Sequence, residues 1–421
     1  MHEAIVTRIR VQPHPDPEVH SLAVGYVCGE TVIVSKSTAD GELGLYFPCE
    51  LQIGVEFAKA NDLIRRKDEH GNPAGGMFDE NRRVRIQKFR GVKSHGFWCP
   101  LSYLSQFGVE KDISSLREGD KITTFKGVVI CNKYFTPKTL QAKSNSAVKP
   151  AKKNVVFPEH KDTEQFKQNL ATFKRGDNLV VTLKVHGTSQ RVAKNYVELP
   201  EKWYDKVLGL FGIVRERKVM SLLNGTRRVV LKGDDNGFYS ENFRVKVAEK
   251  LNPFLEDHMQ VFFEVVGWEN GGSQIMPSHF TAKSKDKELA KKYGEKITYS
   301  YGCKPGEFDI YIYRIAYVLP NGKVVDLTWD EVKKKCEAWG IKHVPELDRF
   351  VFDGNIDALL EKVEAMSDGP DPIDQSHIRE GVCIRVDSSD WKCHKNKGWT
   401  FKVLEGIAKE ADDYVDMEEI S

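Results

Sequence analysis

Residues 136–153 read TPKTLQAKSNSAVKPAKK. Large apolar groups are almost absent there, and Lys, Ser, Pro and Ala dominate. Such a stretch cannot bury enough surface to offset the entropy of ordering it, so it reads as a basic linker. A chain interrupted in this way folds as separate units on either side of the break. With 421 residues, each side is long enough for a core of its own. The expected division is residues 1–135, the linker 136–153, and residues 154–421.

Before the linker the sequence is mostly strand-like. AIVTRIRV, SLAVGYVCG, TVIVSK, LGLYFP and KITTFKGVVI are short β-rich runs, broken by turn residues such as HPDPE and ADGE. Several short strands in so small a unit predict a β-barrel. After the linker the pattern is mixed. DTEQFKQNLATF has helical spacing, with Asp162 or Thr163 as its cap. KWYDKVLGLFGIV and ENFRVKVAEKLNPFL, the second only up to its proline, also predict helices. DNLVVTLKV, RRVVLKG, QVFFEVVGWE, GVCIRVD and WTFKVL predict strands. EFDIYIYRIAYVLPNGKVVDL predicts a hairpin turning at Pro320–Gly322. TWDEVKKKCEAWG opens with Thr328 in T-x-x-E spacing and ends on a glycine, which predicts a helix. The acidic tail KEADDYVDMEEIS predicts a frayed or surface helix. The fold class expected is therefore α+β, with antiparallel sheets and flanking helices behind an N-terminal barrel.

Charge narrows little, because 63 Lys and Arg nearly balance 61 Asp and Glu. A nucleic-acid surface would have to come from local clustering. No apolar run approaches the roughly 18–20 residues that span a bilayer, and MHEAIVTRIRVQPHP lacks the features of a signal peptide. The eight cysteines are scattered, with no C-x-x-C pair. That argues against a zinc ribbon or a disulfide framework and fits a reducing, cytoplasmic compartment. His95, Cys99, Cys383, Cys393 and His394 match no zinc spacing.

The chemistry begins at LKVHGTS, Leu183–Ser189. The apolar run Leu179, Val180, Val181 ends on Lys184, and a lysine in or beside a core is costly unless it is paired or used. Its chemical use in a pocket is as an amine nucleophile. Alone, K-x-H-G is a weak signal. Four further stretches follow in order: Glu264-Val-Val-Gly267, the run Asp309–Ile315 with Tyr311 and Tyr313, Glu380-Gly381-Val382, and Lys395-Asn-Lys397. Each sets a charged or aromatic group on or beside an apolar strand. Together they supply an amine, two carboxylates, a stacking ring and two more cations, the parts that nucleotidyl transfer needs.

These five stretches resemble nucleotidyltransferase motifs I, III, IIIa, IV and V of the ATP-dependent RNA ligases. The likeness is closer to those that carry an N-terminal OB domain before the ligase core. It extends over nearly the whole chain, since GGMFDENRRVRIQKFRGVKSHGFWCPL, FPEHKDTEQF and VPEL also look like that subgroup. The resemblance implies a mechanism. Lys184 would attack the α-phosphate of ATP and carry AMP as a lysyl phosphoramidate. AMP would pass to an RNA 5′-phosphate, and a 3′-hydroxyl would then close the strand. A free lysine titrates near 10.4, so a neutral amine at pH 7 costs about 4–5 kcal/mol unless nearby cations or burial help.

By the same resemblance, Lys395 and Lys397 grip the α-phosphate, while Glu264 and Glu380 organise the ribose and a hydrated metal. Carboxylate and water ligands suit Mg²⁺ or Mn²⁺. Tyr311 or Tyr313 would stack on adenine; the two share one strand face by period two, and either can equally be core. His186 and Gly187 would lie beside the nucleotide. Arg191, Arg227 and Arg228 resemble phosphate-contacting arginines. Gln165 resembles an upstream glutamine of related ligases, although Asp162 stands where some of those have arginine. DNA ligases and capping enzymes usually have K-x-D-G, so the histidine of K-V-H-G-T leans to RNA. In the N-terminal part, Arg82, Arg83, Arg85, Lys88, Arg90 and Lys93 cluster with Phe89, Phe97 and Trp98. Basic groups with rings suit strand binding, with the rings themselves expected mostly in the core.

The expected partner is RNA, as a nicked duplex or an RNA/DNA hybrid, with no membrane and a monomeric chain. The rivals are a DNA ligase or capping enzyme, and a noncatalytic RNA-binding protein, since HPDPEVHSLAVGYV also resembles tRNA-binding OB modules. The first rival usually places its OB domain after the core. The second leaves Lys184, Glu264, Glu380 and the Lys395–Lys397 pair without a purpose.

Overall fold

The structure is a computed structural model, and it describes residues 2–66, 70, 75–135, 156–160, 163–199, 217–231 and 243–408. The linker 136–153, Asp162, the segment KWYDKVLGLFGIV and the acidic tail lie outside the described residues. The architecture is α+β, and almost every strand pairing is antiparallel.

Two sheets form the larger unit. One has five strands, in the order Glu164–Gln165, Cys393–Lys397, Gly381–Val386, Asn178–Leu183, Glu346–Val351. The other has six, in the order Val230–Leu231, Lys218–Gly225, Thr188–Glu198, Met259–Gly267, Phe308–Val318, Val324–Asp326. Asn178–Leu183 is buried along nearly its whole length, because both of its faces are covered. Its partner register sets Leu179 and Val181 beside Val386 and Ile384. That face packs on Phe166, Phe173 and on Leu359 and Val363 of the helix Ile356–Ser367. Val180, one residue out of phase, joins the main core under the six-stranded sheet with Phe263, Val265 and Ile312. Each such fully buried side chain contributes about 1.5–3 kcal/mol. Strand alternation therefore leaves Thr182 and Lys184 facing the space between the two sheets.

The predicted hairpin is present as Phe308–Val318 and Val324–Asp326. The helix Trp329–Trp339 has its capping box at Thr328 and Glu331 and ends on Gly340 in the left-handed region, at φ 64°. Three expectations fail. WTFKVL is a helix, Trp399–Leu404, not a strand. Its spacing puts Phe401 and Leu404 together into the main core, with Val403 turned toward Ile86. DTEQFKQNLATF gives up its first residues to a short strand, Glu164–Gln165, and continues as two 3₁₀ turns. Pairing in parallel with His394 and Lys395 outweighs local helical spacing. Among its described residues, RRVVLKG contributes only Val230–Leu231 to a sheet. The helix Ile356–Ser367, capped by Asn355, was not expected.

The N-terminal strands form several small sheets: Lys121–Ile122, Ala4–Arg8, Leu43–Phe47 and Phe97–Pro100 in one, and Arg10–Pro13, Leu22–Val27 and Glu30–Ser35 in another. Ile86–Phe89 and Val92–His95 make a separate hairpin. Their apolar faces close on Val6, Leu45, Phe47, Phe57, Phe78 and Phe97, and on Ile9, Val32, Tyr46 and Trp98. This unit lies against the larger one. Ile86 packs on Val403, Ile407 and Ala408, and Lys93 Nζ sits 3.4 Å from the Trp399 ring centre. Glu30 Oε2 is 2.9 Å from His95 Nδ1 within its own unit and 3.2 Å from Lys167 Nζ across the seam. Among the described residues no helix is long and apolar enough to cross a membrane.

Candidate active site

A cavity of about 780 Å³, counting its open mouth, lies between the two sheets. Its floor is one face of the five-stranded sheet. Register places Thr182 opposite Cys383, Cys383 opposite Lys395, and Gly381 opposite Lys397. Period-two alternation then aligns Thr182, Lys184, Cys383, Arg385, Cys393, Lys395 and Lys397 on that face, and all seven line the cavity. Two glycines let the backbones close around the nucleophile strand. A Cβ on Gly187 would fall 2.6 Å from the Val265 carbonyl oxygen, and one on Gly381 would fall 2.1 Å from that of Asn396. The Lys184 N–H donates to the Gly381 carbonyl at 3.0 Å.

Glu380 is the electrostatic hub. Its Oε2 accepts from Lys184 Nζ at 2.7 Å and lies 3.3 Å from His186 Nδ1, while Oε1 is 3.6 Å from Lys397 Nζ. Burial works against its charge, but Lys184, the His186 hydrogen bond and Lys397 outweigh it and hold the carboxyl well below the usual range. Glu264 is the opposite case. Burial pushes its carboxyl up to about 7, with Lys184 and Arg227 only partly offsetting it. Its Oε2 is buried without a hydrogen-bond partner. Burial, then the charge of Lys184, lowers Lys395 to about 8. Lys397 is raised despite burial, because Glu405, Glu380 and Glu50 face it. One carboxylate with an open oxygen and several cations on one floor make a site for a polyanion with a divalent counter-ion. Among the described residues no three His, Cys, Asp or Glu side chains gather around one point. An ion here would draw most of its ligands from substrate and water, as Mg²⁺ does.

The far end of the cavity is aromatic. The His160 ring is 5.4 Å from Tyr313 and 5.9 Å from Trp391, and Tyr313 is 6.4 Å from Trp391. Arg385 lies over Trp391 and donates to the Tyr313 carbonyl at 2.7 Å. This end is a cluster of aromatic rings with polar tips.

The RNA ligase family model matches residues 177–404, more than half of the chain. The chain belongs to the RNA ligase family. It is an RNA-ligating enzyme by that membership. Solved structures of Naegleria gruberi RNA ligase share its fold. The form with PPi superposes with a TM-score of 0.62 at 16% identity, covering 96% of this chain and 98% of that one. A variant with ATP and Mn gives 0.61 at 17%, over 96% and 98%. A variant with AMP and Mn gives 0.61 at 18%, over 94% and 97%. The search of curated proteins returned no match.

Within this RNA ligase the predicted residues divide. Lys184, Glu264, Tyr313, Glu380, Lys395, Lys397 and Arg227 all line the one cavity. His186 lies behind it. Its N–H donates to the Tyr301 hydroxyl at 2.6 Å, and its ring packs edge-on against Tyr299 and Phe401. Tyr311 is not on the cavity; its ring meets Tyr301, with Lys342 above it. The shared face expected for the two tyrosines fails because the strand is bulged: Ile312 faces Phe263 and Arg314 faces Phe262, leaving Tyr313 as the extra residue. Arg191 is also corrected. Its guanidinium is buried and donates to the carbonyls of Phe157, Pro158 and Thr226, because residues 157–158 lie across its strand. Arg228 is exposed. Gln165 pairs beside Lys395 and lines a neighbouring crevice with Glu50 and Lys133.

The N-terminal basic cluster is likewise mixed. Phe89, Phe97 and Trp98 are buried, as expected of core rings. Arg82 donates to the Ile53 and Glu80 carbonyls, Arg83 lies over Tyr134, and Lys93 lies over Trp399. Arg85 is half-buried, while Lys88 and Arg90 are exposed on the hairpin. Sequence reasoning missed His160 and Trp391 as cavity residues. His160 stood in FPEH, which carried only a resemblance, and Trp391 sits in a loop with no periodicity to flag it.

Proposed function

We propose that the protein is an ATP-dependent RNA ligase that joins a 3′-hydroxyl to a 5′-phosphate through a covalent lysyl-AMP. The observation that carries this reading is the Lys184 amine on the wall of a cavity shared with Glu264, Glu380, Lys395 and an aromatic slot. Adenine enters at the aromatic end, against Tyr313 and Trp391. Lys395 and Lys397 hold the α-phosphate, and Arg227 meets the phosphates beyond it. Lys184 Nζ attacks the α-phosphorus, the bond to the bridging oxygen breaks, and pyrophosphate leaves. Glu380, already hydrogen-bonded to the amine at 2.7 Å, orients Nζ, and the amine's proton leaves to water or with the departing pyrophosphate. The AMP then passes to an RNA 5′-phosphate, and a 3′-hydroxyl displaces it. Mg²⁺ or Mn²⁺ fits Glu264, whose buried Oε2 otherwise has no partner, with Glu380 joining once Lys184 has moved to phosphate. Such an ion supplies charge neutralisation for the phosphates.

We read residues 1–135 as an OB-like nucleic-acid-binding module, 136–153 as a linker and 154–421 as the transferase unit. The exposed Lys88 and Arg90, with Arg228 and Gln165, then track the RNA backbone, and a nick in a duplex with an RNA 3′ end is the preferred substrate. The test is incubation with α-labelled ATP and Mg²⁺ or Mn²⁺. Label should appear on the protein and vanish in Lys184→Ala. Absence of label on wild type, or its persistence in the variant, would sink the reading. Labelling by GTP alone would make the protein a capping-type transferase. Nicks ending in ribose should seal faster than nicks ending in deoxyribose.

A further inference from the structure

Two thiols share the floor of the same cavity. Cys383 and Cys393 project from neighbouring antiparallel strands, with Cys383 opposite Lys395 and Arg385 opposite Cys393. The two cysteines are thus diagonal neighbours on one face. Both side chains line the cavity. Cys383 is half-buried and Cys393 buried, so a small oxidant entering by the mouth meets Cys383 first.

The electrostatics divide the labour. The neighbouring Cys393 thiol lowers Cys383 despite burial, and Lys184 adds to the effect. The same pairing, with burial, raises Cys393. One sulfur is favoured as thiolate and the other is kept protonated, which is the arrangement of an attacking and a resolving cysteine.

We propose that Cys383 and Cys393 form a peroxide-responsive dithiol that reversibly shuts the nucleotide cavity. The effect on ligation rests on reading this cavity as the ATP site; the thiol chemistry does not. The Cys383 thiolate attacks one oxygen of hydrogen peroxide, the O–O bond breaks, and the departing hydroxide takes a proton to become water. The resulting sulfenic acid is attacked by the Cys393 sulfur, an S–S bond forms, and a second water leaves. Two thiols and one peroxide give one disulfide and two waters. The sulfurs close to about 2.05 Å, which draws the strand of Lys395 toward that of Glu380 and displaces both side chains from the phosphate position. Added thiol restores the open floor.

The experiment uses the full chain treated with hydrogen peroxide, quenched with catalase and alkylated. The expected result is loss of two hydrogens from the intact mass and a cross-linked Cys383–Cys393 peptide. Lysyl-AMP formation should fall in step with the cross-linked fraction, dithiothreitol should reverse both changes, and ATP should slow them. In Cys393→Ser, a dimedone-reactive sulfenic acid should accumulate at Cys383. Oxygen addition without cross-linking overturns the proposal, as does equal peroxide sensitivity of the Cys383→Ser/Cys393→Ser double variant. If untreated protein forms no lysyl-AMP, the reading of the cavity fails, while the mass measurement still decides the dithiol.

Discussion

Glu30→Gln should loosen the seam between the N-terminal strands and the transferase unit. Glu30 accepts from His95 and Lys167, and its side chain is only 15% exposed. Burial opposes the charge, but the His95 hydrogen bond and the charges of Lys167 and Lys402 hold the carboxyl down to about 2 from an ordinary 4.5. A shift of that size corresponds to roughly 3 kcal/mol. Because the folded value is depressed, the contribution is complete above the ordinary carboxylate range and is lost as pH falls through about 2. Glutamine keeps an acceptor for both partners and removes only the charge. At pH 7 the variant should therefore lose about 2–3 kcal/mol in urea denaturation, and the gap should shrink to less than about half by pH 3. Lys167 keeps Glu364 at 3.3 Å in the variant, so the loss should concentrate at the seam. Hydrogen exchange should accelerate in residues 86–95 and 399–408. A gap that is the same at pH 7 and pH 3, or exchange that quickens equally in the Met259–Gly267 strand, would refute the reasoning.

Three other outcomes are expected. Glu264→Gln should abolish metal-dependent lysyl-AMP formation while raising stability above pH 7, by about 3 kcal/mol at most. Wild-type Glu264, raised to about 7, gives its stabilisation fully below pH 4.5 and loses it as pH rises through about 7; parallel stability–pH curves for the two proteins would contradict this. Trp391→Ala should weaken ATP binding by the ~1–3 kcal/mol typical of a lost base stack, and Trp391→Phe should recover most of it; an unchanged ATP titration would remove Trp391 from the slot. Arg191→Met should cost about 2–4 kcal/mol of stability, because three carbonyls lose their donor, with the KM for ATP unchanged in the folded fraction; a raised KM would return Arg191 to the phosphates.

The sequence was most legible where chemistry and periodicity coincide. Lys184, Glu264 and Glu380 stand beside apolar runs, so their departure from the pattern was visible. Thr328 and Gly340 bracket a helix by local rules that tertiary contacts do not override. Legibility failed where a third element intervenes. Nothing local says that residues 157–158 will cover Arg191, or that a bulge will separate Tyr313 from Tyr311. WTFKVL is made of strand-forming residues, yet it follows Gly398 as a helix because Phe401 and Leu404 must enter one core while Val403 meets another. The slot residues His160 and Trp391 lie in loops, where a sequence gives identity but no direction.

The seam also orders events in time. Ile86 bridges to Ala408 and packs on Val403, joining residues separated by most of the chain. Contacts of such separation form late in folding, because the loop they close is long. On a ribosome Ile86 emerges long before the helix Trp399–Leu404 that it packs beside. A partly made chain that stops short of Lys395 and Lys397 therefore carries Lys184 without the lysines that make it useful.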